Sequence, residues 1–144
     1  MKHESVELSP VDKVLWLQKV DVFKHATTEM LSYIGSIAHE VTASRGQAVF
    51  SEEDMSDAMY VIVSGRVRLE KGGQEILTAG AGQSFGTWAL FDNQPRVMAA
   101  IALENAQLLK IPSEDFYDLL SDHDEITPAI FKAVVERVNR LMPD

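Results

Sequence analysis

The sequence predicts a mainly β domain, a β-sandwich or barrel, with helices before and after it. Two observations carry this expectation. Between residues 39 and 110 the apolar runs are short, rich in Val, Ile and Tyr, and separated by glycine turns at Arg45-Gly46, Ser64-Gly65, Lys71-Gly72-Gly73 and Ala79-Gly80-Ala81-Gly82. Outside that stretch the apolar residues recur at helical spacing instead. A chain of 144 residues, 46% hydrophobic and 24% charged, can bury a substantial core as one globular unit. The expected organisation is a lead-in over residues 1–8 and a single domain over 9–144.

Each element has its own local reason. Ser9-Pro10 opens the first helix, with Ser9 as cap and Pro10 at the first helical position. Val11, Val14, Leu15 and Trp16 are its expected apolar face. A second helix is expected over residues 28 to 38, with Met30, Leu31, Ile34 and Ile37 or Ala38 inward. Tyr60-Val61-Ile62-Val63 is continuously apolar, the mark of a central strand. Val67-Arg68-Leu69 alternates, so one of its faces is wet. Gly72-Gly73 reads as a hairpin turn, and two more strands flank Glu104-Asn105. Pro112-Ser113 begins a third helix, with Ser113 as expected cap and Phe116, Leu119 and Leu120 inward. The last helix begins near Thr127-Pro128, carries the stripe Ile130, Val134, Val138 and Leu141, and stops at Pro143.

Composition excludes several functions. There is no cysteine, so thiolate zinc sites, disulfide scaffolds and cysteine nucleophiles are ruled out. A net charge of −9 argues against a nucleic-acid surface and against docking on anionic lipid. The N-terminus is polar, with no signal-peptide core, and no apolar run approaches membrane-spanning length. A cytoplasmic setting is expected. His3, His25, His39 and His123 lack zinc-ligand spacing and read as surface or loop residues. The acidic run Ser51-Glu52-Glu53-Asp54, with Asp57, lacks the glycine and spacing of an EF-hand loop and reads as a solvated loop. With no metal set and no acid–base pair, no enzyme is expected.

One stretch carries chemistry: Phe85-Gly86-Thr87-Trp88-Ala89-Leu90-Phe91-Asp92-Asn93-Gln94-Pro95-Arg96. A glycine turn opens a short apolar helix, and an arginine follows directly after a proline. In outline this is an anion cradle, made of backbone N–H groups at a helix start and one guanidinium. Set beside Asp57-Ala58-Met59-Tyr60-Val61-Ile62-Val63-Ser64-Gly65-Arg66-Val67 and Gly80-Ala81-Gly82-Gln83-Ser84-Phe85-Gly86, it resembles the cyclic-nucleotide-binding domain family over residues 8 to 141.

The resemblance implies a double-stranded β-helix (jelly-roll) barrel with N-terminal helices, a short cassette helix and C-terminal helices. It implies a regulatory sensor with cAMP or cGMP as ligand, no cofactor and no metal. The implied ligand-binding residues are Phe85, Gly86, Thr87, Ala89, Leu90, Arg96, Val97, Met98 and Ala99. Implied partners are an effector protein and a second copy paired through the last helix. The likeness extends to sensor domains attached to larger bacterial proteins, membrane transporters among them. No helix-turn-helix pattern follows the last helix, so direct DNA binding is not expected.

The chain departs from the family at three points. Thr87 stands where the family has the glutamate that takes a ribose hydroxyl. Met98 is bulky where the family is small, and Ala99 lacks the hydroxyl found there. Two readings therefore stand side by side: a nucleotide sensor, or a domain with a degenerate pocket that acts as a protein-interaction scaffold. In the second, Arg96 is a structural arginine tied to an acidic neighbour such as Asp92, and Trp88 or Met98 fills the pocket.

Overall fold

A computed structural model describes residues 7–142. Helix α1 (Pro10–Leu17) is followed by a 3-10 turn (Asp21–Phe23) and α2 (Thr28–Ser36). Eight strands follow: β1 (His39–Ala43), β2 (Ala48–Phe50), β3 (Ala58–Ser64), β4 (Val67–Lys71), β5 (Gln74–Ala79), β6 (Ser84–Phe85), β7 (Ala99–Ala102) and β8 (Ala106–Pro112). A 3-10 turn (Thr87–Leu90) lies between β6 and β7, and α3 (Ser113–Asp122) and α4 (Ile126–Leu141) close the chain. The strands form two antiparallel four-stranded sheets, ordered β1-β8-β3-β6 and β2-β7-β4-β5, in a jelly-roll barrel flanked by helices.

β3 is continuously apolar over residues 58–63, and β8 nearly so apart from Gln107 and Lys110, because both of their faces are covered. Ala58, Tyr60 and Ile62 of β3, with Ala106 and Leu108 of β8, point into the barrel. Met59 and Val61 of β3, with Leu109 and Ile111 of β8, point the other way, into a second core built with the helices. The period of two along a strand divides one run of residues between two cores. β4 needs only alternation, and it buries Val67 and Leu69 while Arg68 and Glu70 face outward. The β4–β5 hairpin turns at Gly72 and Gly73, both at positive φ.

Several local expectations are corrected. In α1 the inward residues are Val14 and Leu17, whereas Val11 and Leu15 are 68% and 52% exposed. The helix is short, so its docking on α2 and β3, not its periodicity, selects the face. Residues 1–6 of the expected lead-in lie outside the described residues, but Leu8 is packed in the helical core and its N–H donates to the Glu40 carboxylate at 3.0 Å. Ser113 does not cap α3: its hydroxyl is turned inward and donates to the Ala89 carbonyl at 2.7 Å. In α4 the buried residues are Ile126, Ile130 and Ala133, while Val138 and Leu141 are exposed. The expected stop at Pro143 lies outside the described residues.

Candidate functional site

The site is built where β2, β3 and the segment after β6 converge. Gly86 follows Phe85 at φ +70, and that left-handed geometry turns the chain into Thr87–Leu90. A Cβ at residue 86 would lie 2.7 Å from Nη1 of Arg96 and 3.3 Å from the Ala58 carbonyl oxygen, so glycine is required by space as well as by φ. The short helix is a single 3-10 turn without a side-chain cap. Its dipole is correspondingly small, which leaves Arg96 as the main source of positive field.

Arg96 points inward and is 7% exposed. Its Nη2 donates to the Ala58 carbonyl at 2.5 Å and its Nη1 to the Gly86 carbonyl at 3.4 Å. The guanidinium lies over the Phe50 ring, 3.9 Å from the centroid. Phe50 in turn packs against Tyr60 and Phe85, whose rings are stacked at 5.3 Å. A cation on such an aromatic floor gains about 0.5–2 kcal/mol, more as water is excluded. The backbone of residue 96 is also held, because its N–H donates to Asp54 O and its carbonyl accepts from Glu53 N, both at 2.7 Å. Burial pushes the Arg96 pKa below its usual range, while Tyr60, Asp57 and Asp54 oppose that shift. Nε is buried without a hydrogen-bond partner among the described residues.

The acidic neighbour of Arg96 is Asp57, at 3.8 Å, and not Asp92. Asp57 is largely exposed, so this pair is weak. The acidic loop around it is solvated as expected, and it also has structural roles. Asp54 accepts from Ser51 N and Glu52 from Gly72 N, each at 2.8 Å.

Beside Arg96 lies a cavity of about 270 Å³. Its apolar wall is made by Phe50, Leu69, Trp88, Val97 and Met98. Gly86, Ala89 and Arg96 close its inner side, and Ser56, Asp92 and Gln94 supply polar atoms. It shares Asp92, Gln94, Arg96 and Val97 with a wider open groove of about 770 Å³, which also includes Glu52, Glu53 and Lys71. Of the nine residues expected from sequence, Gly86, Ala89, Arg96, Val97 and Met98 are on the cavity wall. Phe85 lies in the barrel core and Leu90 in the helical core. Thr87 is buried off the wall, and Ala99 is in β7 opposite Glu70. Trp88 lines the cavity but remains 54% exposed, partly covered by Arg137.

Sequence reasoning missed Phe50, Ser56, Leu69 and Gln94 as wall residues. Nothing local marks Phe50; the β2–β7 pairing and the fold of the barrel bring it under Arg96. The histidines are engaged rather than free. His25 hydrogen-bonds the Glu136 carboxylate, His39 lies 3.9 Å from Asp115, and His123 stacks on Tyr33. His3 lies outside the described residues. Among the described residues no helix is long and apolar enough to cross a membrane, and no group of His, Asp and Glu is arranged to hold a metal ion.

The fold and the site define a class of jelly-roll barrels that carry a buried arginine beside a cavity, behind a glycine turn. The comparisons narrow that class. The family model for the cyclic nucleotide-binding domain matches residues 40–123, and the chain belongs to that family. A lysophospholipase NTE1 from Chaetomium globosum is 32% identical over 104 residues, 69% of this chain and 7% of that protein. A cyclic AMP receptor protein from Thermus thermophilus is 37% identical over 81 residues, 53% of this chain and 38% of that one. Among solved structures, the N-terminal domain of a transcriptional regulator from Streptomyces coelicolor superposes with a TM-score of 0.83 at 26% identity, covering 88% of this chain and 94% of that one. The chain spans less than two thirds of the length of these curated relatives.

Proposed function

We propose that this domain is a regulatory sensor that binds a cyclic nucleotide, cAMP or cGMP, in the cavity beside Arg96. The observation that carries the reading is the buried guanidinium on the wall of a cavity closed on one side by Gly86. Arg96 holds the phosphate, because a guanidinium already desolvated and stacked loses little in pairing with an anion. Gly86 and Ala89 let the ligand approach the main chain, and Val97 and Met98 cover it. Phe85, Thr87, Leu90 and Ala99 support that wall from behind.

The signal passes through the turn Thr87–Leu90. Ser113 ties Ala89 to the start of α3, and Trp88 and Phe91 border an apolar groove with Phe116, Ile130 and Val134. A ligand that favours one position of this turn shifts the C-terminal helices in proportion to its difference in affinity for the two states. The effector is a protein partner in the cytoplasm. A second copy docks on α4, where Phe131, Val135 and Val138 are exposed at coiled-coil spacing. Direct contact with nucleic acid or membrane is not part of this reading.

Isothermal titration with cAMP and cGMP tests it. Saturable binding is expected, weakened about 10- to 100-fold in Arg96→Lys, which keeps the charge but loses the planar fork. No saturable heat at millimolar nucleotide overturns it. A second reading, a scaffold without ligand, is favoured by the hydrogen bonds of Arg96 to the Ala58 and Gly86 carbonyls, which already occupy two of its N–H groups. The same titration separates the two.

A further inference from the structure

We infer that the apolar groove between the turn Thr87–Leu90 and the C-terminal helices is a second ligand site, which takes a free medium-chain carboxylate: the hydrocarbon lies along the groove and the carboxylate pairs with Arg137. The site does not depend on the nucleotide reading. The groove has a volume of about 250 Å³. Trp88 and Phe91 wall it on one side, Phe116 and Leu120 of α3 and Ile130 and Val134 of α4 on the other, and it exposes no polar surface along its length. At about 30 Å³ for a water-sized group, that space holds about eight such groups in a row. It suits a chain of methylenes and not a packed helix, which is about 10–12 Å wide.

One end of this apolar groove is charged. Arg137 lies one turn beyond Val134 on α4, and its guanidinium sits over the Trp88 ring, 5.4 Å from the centroid. Stacking uses the face of the guanidinium and leaves its in-plane N–H groups free for a two-point pair with a carboxylate. Arg137 is also half-buried, so that pair forms partly shielded from water. The other charged groups of α4 are turned elsewhere. Glu136 is held by His25 and Lys24, with Lys132 on the same side, and Arg140 faces Asp21. At the opposite end, Asp124 and Glu125 directly precede α4 and repel an anion. The groove is therefore apolar in its length and polarised at its ends, which fixes a carboxylate at Arg137 and the hydrocarbon toward Thr127. Trp88 also lines the cavity beside Arg96, so the two sites meet at one side chain.

The test is isothermal titration of the domain at neutral pH with sodium octanoate, sodium butanoate and octyltrimethylammonium, each kept below its micellar range. Octanoate is expected to bind saturably with one molecule per chain. Butanoate should be at least about tenfold weaker, since each buried methylene is worth roughly fourfold in affinity. Octyltrimethylammonium, with the same chain and the opposite charge, should also be at least about tenfold weaker. Arg137→Gln should lower octanoate affinity about tenfold and leave the ammonium no weaker than before. No saturable octanoate binding at millimolar concentration overturns the inference, and the groove then belongs to a protein segment. Equal affinity for octanoate and butanoate, or for octanoate and the ammonium, overturns it too. Wild-type octanoate affinity in Arg137→Gln places the ligand elsewhere, as in the cavity beside Arg96, and also overturns it. Titration with cAMP reads the nucleotide site separately, so either reading can fail alone.

Discussion

At the scale of single residues, Gly86 and Arg96 are one device. The left-handed backbone at Gly86 brings its carbonyl to Nη1 of Arg96, and the absence of a side chain leaves room for the guanidinium. Gly86→Ala is therefore expected to cost about 1–2 kcal/mol for the backbone conformation alone. The methyl group would also lie 2.7 Å from Nη1 of Arg96, which must shift. A urea melt should show a lower midpoint with an unchanged slope, and nucleotide affinity should fall with it. Phe50 belongs to the same device as its floor. It holds the cation in place while Asp57, mostly in water, contributes little.

At the scale of elements, the barrel's turn and the C-terminal helices are joined at few points. One is the hydrogen bond from Ser113 to Ala89. A separate clasp ties α4 to the N-terminal segment: Glu136 with His25 and Lys24, beside the pair Arg140–Asp21 at 3.4 Å. The hydrogen bond with His25 is the largest influence on the Glu136 carboxyl and holds its pKa below the usual value; Lys24 and Lys132 add attraction. A carboxyl whose pKa is depressed by folding contributes stability above its unfolded pKa and loses it as pH falls through the folded value. Thermal melts on acidification should therefore fall more steeply for the wild type than for Glu136→Gln. Parallel curves would remove Glu136 from the acid sensitivity of the fold.

At the scale of the whole molecule, two cores share one pair of strands, and the helices cover one face of the barrel. The stripe Phe131, Val135 and Val138 is exposed on α4, away from the residues that dock the helix. Sedimentation at micromolar concentration should find a dimer, and Val138→Glu should shift it to monomer without lowering the melting temperature at the same concentration by more than the lost association accounts for. A wild-type monomer would remove the second copy as the partner of α4.

The boundaries of most elements were legible in the sequence because they depend on near neighbours: Ser9 and Pro10 at the start of α1, Gly72-Gly73 in the hairpin, and the apolar run of β3. Gly86 and Arg96 were legible for the same reason, since a glycine turn and a proline-arginine pair are local patterns. What each side chain meets was decided by the tertiary structure. Ser113 looked like a cap and became a strut to Ala89. Asp92 looked like a counter-ion for Arg96 and instead shares the cavity with it unpaired, while Phe50, far away along the chain, became the arginine's floor. Turns and strands follow from backbone sterics and short-range periodicity, which the residue order states directly. Burial, ion pairing and cavity walls arise from groups brought together across the barrel, and those distances exist only once the two sheets have closed.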